Sequence, residues 1–216
     1  MSQDQDLSAL ISPALPNCLP RFQAPLRLGV MASGRGSNLE AIVRAIESGA
    51  LHGEICVVIY NNPDAPVALR AQRLNLPAVL LNHRHFQHRE ELDLAIINAL
   101  EEYQVEWVIM AGWMRRVTSV LVDAFHQKIL NIHPSLLPSF PGIRAVDQAL
   151  AAGVKVTGCT VHRVELAVDQ GPIILQAAVP ILPDDSVETL QARIQVQEHQ
   201  IYPAAIALAA QHLATE

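Results

Sequence analysis

Short apolar runs alternate with segments whose apolar residues fall at helical spacing, and this rhythm limits the chain to few folds. The runs are Leu26 to Ala32, Ile55 to Tyr60, Ala78 to Leu81, Trp107 to Met110 and Ile129 to Ile132. Between them, Leu39, Ile42, Val43 and Ile46 mark one helix, and Val67 to Leu74, Glu90 to Tyr103 and Ser119 to Phe125 mark three more. Near-continuous apolar runs of strand length suit strands covered on both faces. The alternation predicts a mostly parallel sheet with right-handed crossovers. In such sheets, ligands bind beyond the carboxyl ends of the strands, at the switch in strand order.

The rhythm changes after the fifth run. Ala145 to Ala152 predicts a short helix closed by Gly153. Thr157 to Val164 and Pro172 to Val179 read as strands, and the link between them is so short that they should pair antiparallel. Val187 to Ala210 predicts a long helix disturbed at Pro203. The expected fold class is α/β: a three-layer, twisted sheet of about seven strands, helices on both faces, and an antiparallel C-terminal hairpin edge. Residues 1–25 carry Pro13, Pro16, Pro20 and Pro25 and read as an extended or mobile arm, on which Leu10, Ile11 and Leu15 could dock. The expected division is an N-terminal extension, 1–25, and one catalytic domain, 26–216.

Half of the 216 residues are hydrophobic and 17% are charged, which suits one globular domain. A net charge of −6 argues against nucleic acid as the main partner, since phosphate neutralisation needs clustered Lys and Arg. Cys18, Cys56 and Cys159 have no paired spacing, which fits a reducing compartment and argues against a zinc site or disulfide scaffold. No apolar run is long enough to span a membrane, and Asp4 and Asp6 stand where a signal peptide would want positive charge. The expected location is the cytoplasm.

Three segments leave strand carboxyl ends with chemistry in them. Ser33-Gly34-Arg35-Gly36-Ser37-Asn38 joins a strand to a helix, a layout that points free backbone N–H groups at an anion. Ser37 and Asn38 could cap the helix or add hydrogen bonds. The third glycine of a dinucleotide fingerprint is replaced by Leu39 and no Walker lysine follows, so a monophosphate fits better. A tight turn without a ligand has the same sequence. Ala111 to Val117 places a glycine, a ring and a methionine where they could line a flat pocket or simply pack. In Asn131-Ile132-His133-Pro134, Asn131 and His133 share one strand face, and Pro134 ends the strand. An amide can bond an oxygen gaining negative charge, and an imidazole can give or take a proton near neutral pH. A lone histidine after a strand can equally be structural. Asp169 sits just before a Gly-Pro turn, Gly171-Pro172, and reads either as a turn residue or as a carboxylate facing His133. Glu198 and His199 lie mid-helix, on a solvated face unless that face borders the pocket. The histidines at 83, 85 and 88 lack the Cys or carboxylate spacing of a metal site.

Taken together, the stretches at 33–38, 111–115, 131–138, 156–162, 168–176 and 197–203 resemble phosphoribosylglycinamide formyltransferase, in that family's order and spacing. The resemblance covers Leu26 to about Ala210. It implies that Gly36, Ser37 and Asn38 hold a substrate phosphate, and that Gln195, Val196, Gln197 and Glu198 border the ribonucleotide. It implies that Arg89, Met114, Arg115, Arg116, Val117, Asn131, Glu165, Leu166, Ala167, Val168 and Asp169 hold the folate. Asn131, His133 and Asp169 would be catalytic. The co-substrate would be 10-formyltetrahydrofolate, with no metal, and the partners would be small molecules, with no nucleic acid or membrane. The protein would be a monomer or weak homodimer. The sequence departs from the family at Ile143-Arg144-Ala145-Val146 and at Ala167, and residues before Leu26 have no counterpart in its short members.

The implied reaction is attack of a glycine amine on the formyl carbon, with Asn131 and protonated His133 stabilising the oxyanion and Asp169 favouring the charged ring. Formyl-folate hydrolysis and formylation of Met-tRNA use a similar Asn-Ile-His-Pro-Ser segment. They would bring a regulatory domain in front or an RNA-binding domain behind, and neither is expected here. A non-catalytic phosphometabolite or folate sensor would keep the glycine turn but would not need Asn131, His133 and Asp169 together.

Overall fold

Burial on both faces decides how the central strands are built. The computed structural model describes residues 9–215. Strands β1 (Leu10–Ser12), β2 (Leu26–Ala32), β3 (Gly53–Tyr60), β4 (Ala78–Leu80), β5 (Trp107–Met110), β6 (Ile129–His133), β7 (Val156–Arg163) and β8 (Ile173–Pro180) form one eight-stranded sheet. Helices α1 (Ser37–Glu47), α2 (Val67–Arg73), α3 (Arg89–Glu102), α4 (Ser119–Ala124), α5 (Ala145–Ala151) and α6 (Val187–Thr215) cover it. Successive strand residues point to opposite faces. Accordingly Leu28, Val30, Val58, Trp107, Ile109, Leu130 and Ile132 pack into one core with α1 and α6 residues. Met31, Val57, Ile59, Val108, Met110 and Ile129 pack into a second core with Leu92, Ile96 and Leu100 of α3. Gly29 belongs to this second face. A Cβ there would lie 2.4 Å from Leu100 Cδ2, so the missing side chain lets α3 sit close to β2.

The sheet order is β1-β8-β7-β6-β5-β2-β3-β4. Pairs β2–β3, β3–β4, β2–β5 and β5–β6 are parallel, while β6–β7, β7–β8 and β1–β8 are antiparallel. The chain builds outward from β2 to β4, then returns to the other side of β2 with β5. The switch in strand order therefore lies between β2 and β5, and the segments that follow both strands meet there.

Two expectations need correcting. The sheet has eight strands rather than about seven, because Leu10–Ser12 of the N-terminal segment pairs with Gln176 to Ala178 on the edge of β8. Ile11, Leu15, Leu19 and Phe22 pack against the first core, whereas Leu10 stays exposed. A segment this short becomes a strand only because a free edge is there to pair with. Residues 1–8, with Asp4 and Asp6, lie outside the described residues. The last helix also extends past Ala210 to Thr215 and stays helical on both sides of Pro203. The other expected elements are present with ends moved by one or two residues, and His83–His85 adds a turn of 3₁₀ helix.

Helix α6 is anchored at both of its working regions. Asp185 precedes it, accepts from Leu182 N at 2.7 Å and pairs through both carboxylate oxygens with Arg193 at 2.6 and 2.8 Å. Farther along, the buried Tyr202 hydroxyl lies 3.1 Å from the carbonyl oxygens of Met110 and Leu130, on adjacent strands β5 and β6. Removing that hydroxyl leaves both carbonyls without this donor in a site closed to water. Tyr202→Phe should lower unfolding free energy by about 1–2 kcal/mol in urea denaturation, with the native fold kept by circular dichroism.

Candidate active site

Strand β6 presents Asn131 and His133 on the face opposite Ile132, which points into the first core. Strand β7 runs back along β6, so Asn131 lies opposite His162 and His133 opposite Thr160. Asp169 comes from the loop between β7 and β8, with a left-handed backbone (φ 57°) of the kind Asp tolerates better than most residues. Its Oδ2 accepts from Gly142 N at 2.7 Å and lies 3.4 Å from His133 Nδ1. Its Oδ1 lies 3.7 Å from His162 Nε2. The expected trio is thus gathered, but through a second histidine.

Hydrogen-bond roles constrain both rings. His133 Nε2 lies 2.9 Å from Phe140 O, which can only accept. Both ring nitrogens of His133 therefore face acceptors, a carbonyl and a carboxylate. A neutral imidazole has one N–H and could serve only one of them, whereas the protonated ring serves both. His162 Nδ1 lies 2.8 Å from Arg163 O and must donate to it. In the neutral ring, Nε2 is then an acceptor, and Asn131 Nδ2 donates to it at 3.1 Å. With His162 protonated, Nε2–H would turn to Asp169 Oδ1 instead. The Asn131 amide and the Asp169 carboxylate compete for one nitrogen.

The Asp169 side chain is 9% exposed and that of His133 7%, so water screens their interaction weakly. Burial pushes the Asp169 carboxyl upward. The His162 hydrogen bond, the Gly142 N–H and the charges of His133 and His162 outweigh it and hold the group below the usual carboxylate range. Beneath the site, Thr160 Oγ1 donates to Ser135 O at 2.7 Å and accepts from Leu137 N at 3.1 Å, and Gln176 Nε2 donates to Leu137 O at 2.9 Å. These bonds fix the turn after His133 to the hairpin.

The glycine turn stands at the end of β2. Gly36 has φ 72°, and a Cβ there would lie 2.6 Å from Val67 Cγ2, so both backbone and space require glycine. The first α1 hydrogen bond is Glu40 N to Gly36 O at 3.2 Å. No side chain caps α1, contrary to one reading of Ser37 and Asn38. Their side chains turn to α6 instead: Gln195 Nε2 donates to Ser37 Oγ at 2.8 Å, and Asn38 Nδ2 donates to Glu198 Oε2 at 2.9 Å. The first α1 amides have no intrahelical partner, which is what an anion site needs. Glu198 is buried at 8% exposure rather than on a solvated face. Burial pushes its carboxyl up, opposed by the Asn38 amide. Helix α6 is covered on several sides, so helical spacing alone did not reveal which face Glu198 occupies. The Asn38 Oδ1 and Gln197 Oε1 atoms are buried without a protein partner.

The remaining expected residues have looser positions. Met114, Arg115 and Arg116 are exposed after β5, and Val117 packs partly on the second core. Trp113 is buried and packs rather than lining a pocket. Glu165, Leu166, Ala167 and Val168 form an exposed stretch leading to Asp169. Arg89 is the first residue of α3, and Val196 is exposed on α6. Among the described residues, no hydrogen bond or ion pair joins these side chains to Asn131, His133 or Asp169. A cavity of about 340 Å³, lined by Leu137, Pro138, Pro141, Asp169, Gln170, Gly171 and Ile173, opens beside the carboxylate. A hollow of about 580 Å³ runs along α1 past Ser37, Arg44, Arg70 and His199. No group of three His, Cys, Asp or Glu among the described residues could hold a metal, and no helix among them is long and apolar enough to cross a membrane. His162 was missed as a site residue. Its signal was the expected hairpin, but only the register of β7 on β6 puts it beside Asn131.

Comparison with known proteins agrees with this geometry. The model of the formyl transferase family matches residues 26–206. Phosphoribosylglycinamide formyltransferase of Bacillus subtilis (strain 168) is 42% identical over 180 residues, covering 83% of this chain and 92% of that protein. The human trifunctional purine biosynthetic protein adenosine-3 is 42% identical over 203 residues, 94% of this chain; the chain spans only 20% of that protein's length. The crystal structure of glycinamide ribonucleotide transformylase 1 from Symbiobacterium toebii superposes with a TM-score of 0.86 at 47% identity, covering 88% of this chain and 90% of the other. The matched span holds both the glycine turn and the Asn131–His133–Asp169 cluster, and by sequence and by fold the chain belongs to the formyl transferase family, within its phosphoribosylglycinamide formyltransferase group.

Proposed function

We propose that the chain transfers the formyl group of 10-formyltetrahydrofolate to the amine of glycinamide ribonucleotide, as a step of purine synthesis. The observation that carries this reading is the buried Asp169–His133 pair, 3.4 Å apart, beside Asn131 on the strand next to β5 and two strands from β2 and its glycine turn. The amine nitrogen bonds to the formyl carbon, and the carbonyl oxygen takes up negative charge. Asn131 Nδ2 and a His133 N–H donate to it. To do so, Nε2 leaves Phe140 O, while Asp169 keeps Nδ1 and the positive charge in place. The formyl carbon then parts from N10 of the folate, and the proton lost by the amine ends on that nitrogen.

The residues present suit both ligands. The Gly36–Asn38 amides would take the phosphate and Glu198 the ribose hydroxyls, with Gln195, Val196 and Gln197 alongside. Met114, Ile143 and Leu166 are 74%, 79% and 61% exposed; Met114 N bonds Ser33 Oγ, Ile143 follows Gly142, and Leu166 lies on the stretch that leads to Asp169. Such apolar side chains in water are what a flat, partly apolar ligand would cover. Together with Arg89, Arg115, Arg116, Val117, Glu165, Ala167 and Val168 they would hold the folate. A family match that begins at residue 26 supports treating 1–25 as an extension and 26–216 as the catalytic domain. On this reading the enzyme works in the cytoplasm on two small molecules, as a monomer or weak homodimer.

Tetrahydrofolate release, followed with and without glycinamide ribonucleotide, tests the reading: product should form only when both are present. Product formed without the ribonucleotide would mean hydrolysis instead. His133→Ala and Asp169→Asn should each lower kcat by about 10²–10³-fold with little change in KM. Glu198→Ala should instead raise the KM for the ribonucleotide while leaving kcat within about tenfold. The pH profile follows from Asp169. Its folded-state pKa lies below the unfolded value, so its ionised pairing is complete above that value and is lost as pH falls through the folded one. In kcat profiles the Asp169 step should therefore lie on the acid side of the usual carboxylate range, with no Asp169 step near neutral pH.

A further inference from the structure

The two segments assigned to the two ligands leave adjacent strands, and they are clasped to each other. Ser33 N donates to Gly112 O at 3.0 Å, and Met114 N donates to Ser33 Oγ at 2.9 Å. The first bond is backbone to backbone and needs no particular residue at 33. The second needs a side-chain acceptor of serine length. It is the one side-chain hydrogen bond between Ser33–Asn38 and Gly112–Val117 among the described residues.

Each segment is also tied down on its far side. Val67 N donates to Gly34 O at 3.1 Å, and Arg70 Nε donates to Arg35 O at 2.9 Å, which fixes the glycine turn to α2. Thr118 N donates to the buried Asp93 carboxylate at 2.6 Å, which fixes the other segment to α3. The Gly34, Arg35, Met114, Arg115 and Arg116 side of both segments is exposed. The two stretches, each bonded to its own helix, meet at Ser33.

We propose that Ser33 is a positioning residue that couples the two half-sites, so that ribonucleotide and folate each bind more tightly when the other is present. The inference rests on the formyl-transfer reading for the identity of the two ligands. An anion on the Gly36–Asn38 amides steadies the glycine turn, and the Ser33 hydroxyl passes that order to the Met114 backbone. A folate arriving next meets a segment already held in place and loses less conformational freedom on binding. By linkage the effect is equal in the reverse order. In the reaction, this coupling favours the complex in which amine and formyl group are both present.

Calorimetry on the full chain tests the coupling. The affinity for tetrahydrofolate is measured alone and with saturating glycinamide ribonucleotide, for the wild type, Ser33→Ala and Ser33→Thr. In the wild type the ribonucleotide should tighten tetrahydrofolate by about fivefold or more. Ser33→Ala should bind each ligand alone within about twofold of wild type but keep less than about a twofold tightening, while Ser33→Thr, which retains the hydroxyl, restores it. Hydrogen exchange gives a second readout: ribonucleotide should slow exchange of the Met114 amide in the wild type and Ser33→Thr, and leave it unchanged in Ser33→Ala. Equal tightening in Ser33→Ala, or independent binding of the two ligands to the wild type, overturns the coupling and leaves the formyl-transfer reading intact. Failure of either ligand to bind the wild type overturns that reading, and the coupling with it.

Discussion

Strand β7 runs against β6, where the sheet passes from parallel to antiparallel pairing, and the candidate site depends on this reversal. A parallel neighbour would have carried its own carboxyl end to the same edge and placed a new loop there. The antiparallel one instead brings the middle of the chain back past Asn131 and His133, with His162 and Thr160 directly opposite. The loop that follows β7 then delivers Asp169 to within 3.4 Å of the His133 ring. A carboxylate and two imidazoles so close together, with little water, interact more strongly than they would at a surface. The upward push of burial on the Asp169 carboxyl is outweighed by the Gly142 N–H and the two histidines, which hold it below the usual carboxylate range.

The site is also a meeting of separately built halves. The glycine turn belongs to β2 and α1, the Asn131–His133–Asp169 cluster to β6 and the loop that follows β7. Helix α6 crosses both. Its Gln195 and Glu198 bond to Ser37 and Asn38, and one turn later Tyr202 reaches Met110 O of β5 and Leu130 O of β6. A long helix with few exposed faces serves this purpose better than a loop, because its side chains are held at fixed spacing against two strands and a turn at once. Glu198 shows the consequence: a carboxylate that would be unremarkable on a surface helix is buried here against Asn38 and set beside the turn.

Much of the architecture was legible from residue order. Two-residue alternation in β2, β3, β5 and β6 sorted side chains between two cores, and the same period put Asn131 and His133 on one face with Ile132 on the other. Gly36 was legible because a strand-to-helix turn with a left-handed residue has few other solutions. Less legible were features whose cause lies far away in the chain. Leu10–Ser12 has too little pattern to announce a strand and becomes one only on the free edge of β8. The Ser37 and Asn38 side chains, suited to capping α1, are drawn off by residues 158 and 160 positions later.

From Leu26 onward the sequence by itself determined which segments are strands and α-helices, and which polar residues stand at strand ends, because these follow from local stereochemistry and periodicity. Tertiary structure alone decided the partners: His162 against Asn131, Phe140 O and Asp169 on the two nitrogens of His133, Glu198 on Asn38, and Ser33 under Met114. The physical reason is that strand register and helix rotation are set by the packing of the whole core, and a displacement of one residue in either would carry every one of these polar groups to the wrong face.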